Sequence, residues 1–332
     1  MNRRLNRITA MLTMLLSAAV MAQPLELWQR EWPQTDFSRT TINLDDIQSG
    51  GPGKDGIPAI DHPRFIAVSQ ANDLADDEPV IGVVIGEEAR AYPLRILIWH
   101  EIVNDVLAGT AIAVTYCPLC NTSIVFDRRL AGHTLDFGTT GNLRHSDLVM
   151  YDRQTESWWQ QYGGEAIVGE LAGQKLRVIP SRLESLAHFR QRAPSGQILV
   201  PNDPRASQYG TNPYVGYDRS PFPFLFKGQA PKGVAPMMRV VAIDEIAFAL
   251  PLLSQKGHLQ QGDLELAWSS GQRSALDSRK LNRGRDVGNV LVSRNGMDIP
   301  HVITFAFAFF AFHPDGILYT QDGQVTRQGV AD

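Results

Sequence analysis

The sequence predicts a β-rich α+β fold built from two related halves, with antiparallel sheets and a few short helices. Three observations carry that expectation. Short runs of aliphatic residues, Pro79 to Ile85, Ala111 to Tyr116 and Ser123 to Phe126, are strand-like in length and composition. The segment Ile85 to Leu94 (IGEEARAYPL) returns as Ile243 to Leu252 (IDEIAFALPL), with six of the ten positions identical. The echo then continues in order. Asp127 with Arg129 is matched by Asp277 with Arg279, and Pro194-Ser195-Gly196 by Pro314-Asp315-Gly316. An internal repeat decides an architecture, so these matches divide the chain into two copies of one plan.

Residues 1–22 have the layout of a secretory signal: Arg3, Arg4 and Arg7, then an apolar run from Ile8 to Ala19, then Val20-Met21-Ala22 as a small-residue cleavage pattern. The run is shorter than the ~20 residues a spanning helix needs. The expected location is therefore periplasmic or secreted, with no membrane span after signal removal. Residues 23–54 form an irregular lead-in ending in Ser49-Gly50-Gly51-Pro52-Gly53. Residues 55–200 are the first repeat. In it, Leu94 to Val106 suits a short helix with His100 and Asn104 on one face, and Ala131-Gly132 suits a hairpin turn. Residues 201–236 hold seven prolines interleaved with Tyr209, Tyr214, Tyr217, Phe222, Phe224 and Phe226. Prolines deny that stretch regular structure, and the aromatics predict an ordered connection packed on the protein. Residues 237–320 are the second repeat, in which Phe305 to Phe312 reads as a buried element. Residues 321–332 are a tail.

The composition excludes several functions. Of 332 residues, 43% are hydrophobic and the formal net charge is −4. That supports a large core and argues against nucleic acid, which requires a concentrated basic surface. There is no Walker loop or dinucleotide fingerprint, so no nucleotide is expected. There is no Gly-x-Ser-x-Gly nucleophile motif. No protein partner can be named.

The distinctive chemistry is Cys117-Pro118-Leu119-Cys120, which contains the only two cysteines. One pair cannot staple a chain of this length, so it needs a local explanation. The second copy has Trp268-Ser269-Ser270-Gly271, or residues near them, in the corresponding place and lacks both thiols, which makes the pair an addition to one copy. A Cys-Pro-x-Cys turn points two sulfurs at one ion, and Asn121 suits the left-handed residue that follows such a turn. Two thiolates do not complete a zinc site. His100 is the first choice for the missing ligand, His145 the second and Met150 a third. Thiolates with imidazole suit copper or zinc. Two other readings stay open: thiol–disulfide exchange with Cys117 as the exposed nucleophile, and a structural disulfide in a non-enzymatic interaction module. Haem attachment is excluded because Asn121 stands where Cys-x-x-Cys-His needs histidine. No catalytic residue is assigned. His100-Glu101 with Asn104-Asp105 offers acid/base groups, with His100 the functional member. Ser146 to Arg153 reads as a strand that can wall the site, with His145 or Asp147 pointing inward.

Five segments together carry a family resemblance: Asp55 to Ile60, Ala91 to Leu94, His100 to Asp105, Thr115 to Cys120 and Ser146 to Arg153. With them the chain, from about residue 55 to residue 320, resembles the DUF3179 family. The resemblance implies an exported bacterial or archaeal protein with no settled biochemical role. One departure is visible. Similar proteins often carry Tyr-Asn before Ser146, where this chain has Arg144-His145, so any role of His145 is particular to this chain.

Overall fold

The computed structural model describes residues 25–330; the signal-like segment 1–22 lies outside them. The protein is β-rich with a few short helices, and five antiparallel-dominated sheets are set in a propeller-like arrangement. The first-half sheet contains Ser181–Ser185, Pro79–Ile85, Glu88–Pro93 and Gln197–Val200 in that spatial order, with the last pair parallel. The second-half sheet contains Val302–Phe305, Arg239–Ile243, Ile246–Ala249 and Ile317–Thr320 in the corresponding order, again with the last pair parallel. In each half a seven-residue helix follows the hairpin, Leu94–His100 or Leu250–Lys256, and leads into a meander. The meanders are Ile102–Leu107, Thr110–Cys117 and Thr122–Asp127 in one half, and His258–Gln261, Leu264–Ser269 and Asn289–Arg294 in the other.

The first half has one sheet that the second lacks. It is made mainly of Phe137–Arg144, Asp147–Asp152, Trp158–Gln160 and Ala166–Val168. The lead-in is anchored to this sheet. Residues 25–31 are helical, Trp32 and Phe37 are buried against Trp158, and Ile47–Ser49 pairs with Asn142 to Arg144. The segment is thus short of regular structure but packed. The supposed tail also folds, with Gly323–Thr326 and Gly329–Val330 extending the second-half sheet.

The helix expected over Leu94 to Val106 is half its expected length. It stops at His100, because Glu101 takes φ 57° and ψ −31° and the chain continues as a strand from Ile102. His100 and Asn104 therefore do not share a helix face. The hairpin at Ala131-Gly132 is present, with both residues at positive φ between the short strands Arg129–Leu130 and His133–Thr134. Ala306–Phe312 forms a buried helix, as the apolar run predicts. The connection 201–236 packs against both halves: Tyr209, Tyr214, Tyr217, Leu225 and Phe226 lie on the main core, Asn212 and Gly216 donate to Arg279 O and Asp277 O of the second half, and Phe222 and Phe224 face solvent. That core runs without a break from Ile60 to Ala308.

Candidate metal centre

The site is formed by two tight turns that face each other. One is Cys117 to Asn121, joining strands Thr110–Cys117 and Thr122–Asp127. Asn121 closes it at φ 55°, and its N–H donates to the Pro118 carbonyl at 3.2 Å. Asn121 thus fills the left-handed position for which its short polar side chain is suited. The other turn is His145-Ser146, joining Phe137–Arg144 to Asp147–Asp152. Both of its residues are at positive φ, 55° and 67°. Such conformations cost of order 1–3 kcal/mol each for residues with a Cβ, and persist where the surroundings impose them. Here the turn aims its two carbonyls at the sulfurs. The Cys117 thiol donates to Ser146 O at 3.6 Å and the Cys120 thiol to His145 O at 3.8 Å.

Asp147 follows directly after this turn. Cys117, Cys120 and Asp147 each place one donor atom so that all three lie within 4.8 Å of one another, and all three residues are buried. The carboxylate is held on both oxygens. Oδ2 accepts from Gln160 Nε2 at 2.6 Å and from the Tyr162 N–H at 2.7 Å, and Oδ1 accepts from Thr122 Oγ1 at 3.2 Å. Burial nevertheless raises its pKa to about 6, against the lowering effect of those hydrogen bonds. Burial also pushes both thiols up, Cys120 most strongly. Both cysteines are free thiols. A small set of donors preorganised by neighbouring hydrogen bonds is the arrangement that metal sites use, and an ion supplies the charge that makes thiolates and a buried carboxylate affordable to desolvate.

The two histidines chosen from the sequence lie elsewhere. His100 has both ring nitrogens engaged, Nδ1 with Pro58 O at 2.7 Å and Nε2 with the Tyr209 hydroxyl at 2.7 Å. His145 reaches the site through its backbone, while its ring packs against Phe226 and Phe312. Neither imidazole belongs to the three-residue group, and Met150 is buried in the core. The acidic neighbour of His100 does reach the site. Glu101 is buried and lines a cavity of about 110 Å³ together with Cys117, Pro118, Leu119 and Tyr214. Its pKa is pushed up to about 8, first by burial and then by Asp147.

The connection between the halves closes the site from above. The Tyr217 hydroxyl donates to Leu119 O at 3.0 Å and accepts from the Phe224 N–H at 3.2 Å, and Ser146 Oγ donates to Phe224 O at 2.7 Å. The second half closes it from below. Thr304 Oγ1 and the Phe305 N–H both donate to Cys120 O, at 2.9 and 3.3 Å.

A β-rich, propeller-like chain with a buried dithiol–carboxylate centre is thus the class that fold and site define. The chain belongs to the DUF3179 family of proteins of unknown function, whose model matches residues 54–316. No curated protein and no solved structure matches it.

Proposed function

We propose that this is an exported metal-binding protein whose centre is Cys117, Cys120 and Asp147, and that zinc is its ion. The observation that carries the reading is the convergence of two thiols and one carboxylate within 4.8 Å in a buried, hydrogen-bonded setting. A carboxylate in place of the expected imidazole shifts the preference from copper(I) toward zinc, because hard oxygen donors suit zinc and not a soft monovalent ion. Three protein ligands with one open position are also the pattern of zinc sites that handle a small molecule. Export rests on the signal-like layout of residues 1–22. Thiol–disulfide exchange fits less well. An exchanging cysteine is exposed and has a depressed pKa, whereas Cys117 is buried with its pKa raised.

The matching strand order of the two halves, together with the sequence echoes, supports descent from a duplication, with the thiols added to one copy. In the second half the strand that ends with Cys117 is represented by Leu264–Ser269, where Trp268 pairs as Tyr116 does and Ser269 takes the place of Cys117.

Elemental analysis of protein purified without chelator tests the function. We expect about one equivalent of zinc in the native chain and none after Cys117→Ser with Cys120→Ser. Zinc retained by the double variant, or absent from a native protein with free thiols, contradicts the reading.

A further inference from the structure

The helix that ends at His100 terminates in the same way as its counterpart in the second half. In each, the cap residue donates its N–H to the carbonyl four residues back, Glu101 to Leu97 and Gly257 to Leu253. In each, the cap carbonyl accepts at 2.8 Å from the second strand after the helix, from Tyr116 N–H in one half and from Trp268 N–H in the other. Both cap residues occupy the same region, φ 57° and ψ −31° for Glu101, φ 69° and ψ −43° for Gly257. That region suits glycine and is disfavoured for any residue with a Cβ. The second half therefore has the residue that the backbone requires, and the first half has a glutamate. No packing reason for it is visible: the Glu101 carboxyl is desolvated and feels Asp147, with no hydrogen bond among its influences. It lines the cavity beside Cys117, with Thr139, Asn142 and Tyr214 on the other walls.

We propose that this cavity is the ligand side of the metal centre and that Glu101 is the residue its ligand touches. The ligand class follows from the surroundings. The space of about 110 Å³ admits a molecule of only a few heavy atoms. Cys117 and Glu101 line it, and the centre that Cys117 shares with Cys120 and Asp147 would keep a net negative charge around a divalent ion, so an anion is repelled. The occupant is an uncharged molecule with a lone pair for the open metal position and an O–H or N–H to share with the Glu101 carboxyl, such as a small alcohol, amine or azole. This inference rests on the metal reading above.

The test uses the full chain loaded with cobalt(II), whose visible spectrum reports ligand exchange, and neutral imidazole as the probe with acetate as an anion of similar size. Two variants remove the carboxyl: Glu101→Ala keeps the strained backbone and Glu101→Gly relieves it. Both are expected to hold one cobalt ion and to bind imidazole about tenfold more weakly than the native chain, while acetate leaves every spectrum unchanged. Metal-free Glu101→Gly is expected to melt above both the native protein and Glu101→Ala, so a weakened probe cannot be ascribed to a damaged fold. Native imidazole affinity in both variants, loss of cobalt from both, or a glutamate-dependent response to acetate overturns the proposal and leaves the metal centre standing. Failure of the native chain to bind cobalt overturns both.

Discussion

At the scale of single residues, the centre is defined by groups whose protonated form burial favours. Asp147 moves from 3.8 to about 6 and Glu101 from 4.5 to about 8 on folding. A carboxyl with a raised pKa retains in the folded state a proton that the unfolded chain has released. Its contribution to stability is fully present below the unfolded value and is lost as pH rises through the folded one. The metal-free protein is therefore expected to melt lower at pH 8 than at pH 5, and Asp147→Asn to remove the part of that decline below about pH 6. Calorimetry in chelator across this range checks it; a flat profile in the native protein contradicts the burial of these groups. Zinc must displace the thiol protons, so the rise in melting temperature that it produces should grow from pH 6 to pH 8. Gln160 orients the Asp147 carboxylate, and Gln160→Leu is expected to weaken zinc about 10- to 100-fold without unfolding the chain. A competitive chelator titration reads that loss, and unchanged affinity would show that Tyr162 and Thr122 hold the carboxylate unaided.

At the scale of elements, the turns were the hardest part to read from sequence. Cys-Pro-Leu-Cys-Asn announces a knuckle because each residue type suits its place in it. Asp147 was visible only as one of two candidates for an inward position, since alternation along a strand needs a register and the register depends on where the turn falls. The turn falls on His145-Ser146, neither a strong turn former at positive φ. Glu101 was read as an acid/base candidate behind His100; nothing in Leu94 to Val106 marks the helix stop that it caps, and the chain goes straight into the pairing of Ile102 with Thr115. His100 was the first choice as a ligand because it stands on the expected helix just before the strand that leads to Cys117, but its ring nitrogens are engaged by Pro58 O and the Tyr209 hydroxyl. Glycine positions carry comparable constraints. Gly141 has φ +74°, and a Cβ there would lie 1.9 Å from the Pro52 carbonyl oxygen. Gly141→Ala is expected to cost more than ~1 kcal/mol and to free the lead-in around Pro52. Urea denaturation measures the cost; an unchanged midpoint would show that the lead-in yields without penalty.

At the scale of the molecule, the sequence echoes fall in hairpins and caps, where backbone geometry restricts the sequence, and the sheets that carry them have the same strand order. The extra sheet of the first half has no counterpart and so no echo to find it by. Both halves contribute to one core, from Ile60 to Phe307 and Ala308. Unfolding is accordingly expected as a single calorimetric transition, and two resolved transitions would show that the halves are separate folding units. Thr304→Val removes a hydrogen bond to Cys120 O from a residue 184 positions away. It is expected to lower zinc affinity as well as stability, each by the equivalent of about 1 kcal/mol. An effect on stability alone would mean that this contact does not shape the turn.

The grip of Thr304 and Phe305 on the Cys120 carbonyl gives the centre a place in the life of the chain. A growing or partly folded polypeptide carries both thiols long before the residues that fix their turn exist, so it has two loose cysteines and no site. Only the finished fold offers an ion a rigid seat. By linkage, an ion at a thousand times its dissociation constant then adds about 4 kcal/mol to the stability of the entire molecule, not of one loop. On the proposed metal reading, occupancy of the centre is a signature of completed folding, and metal supply determines how long each copy survives.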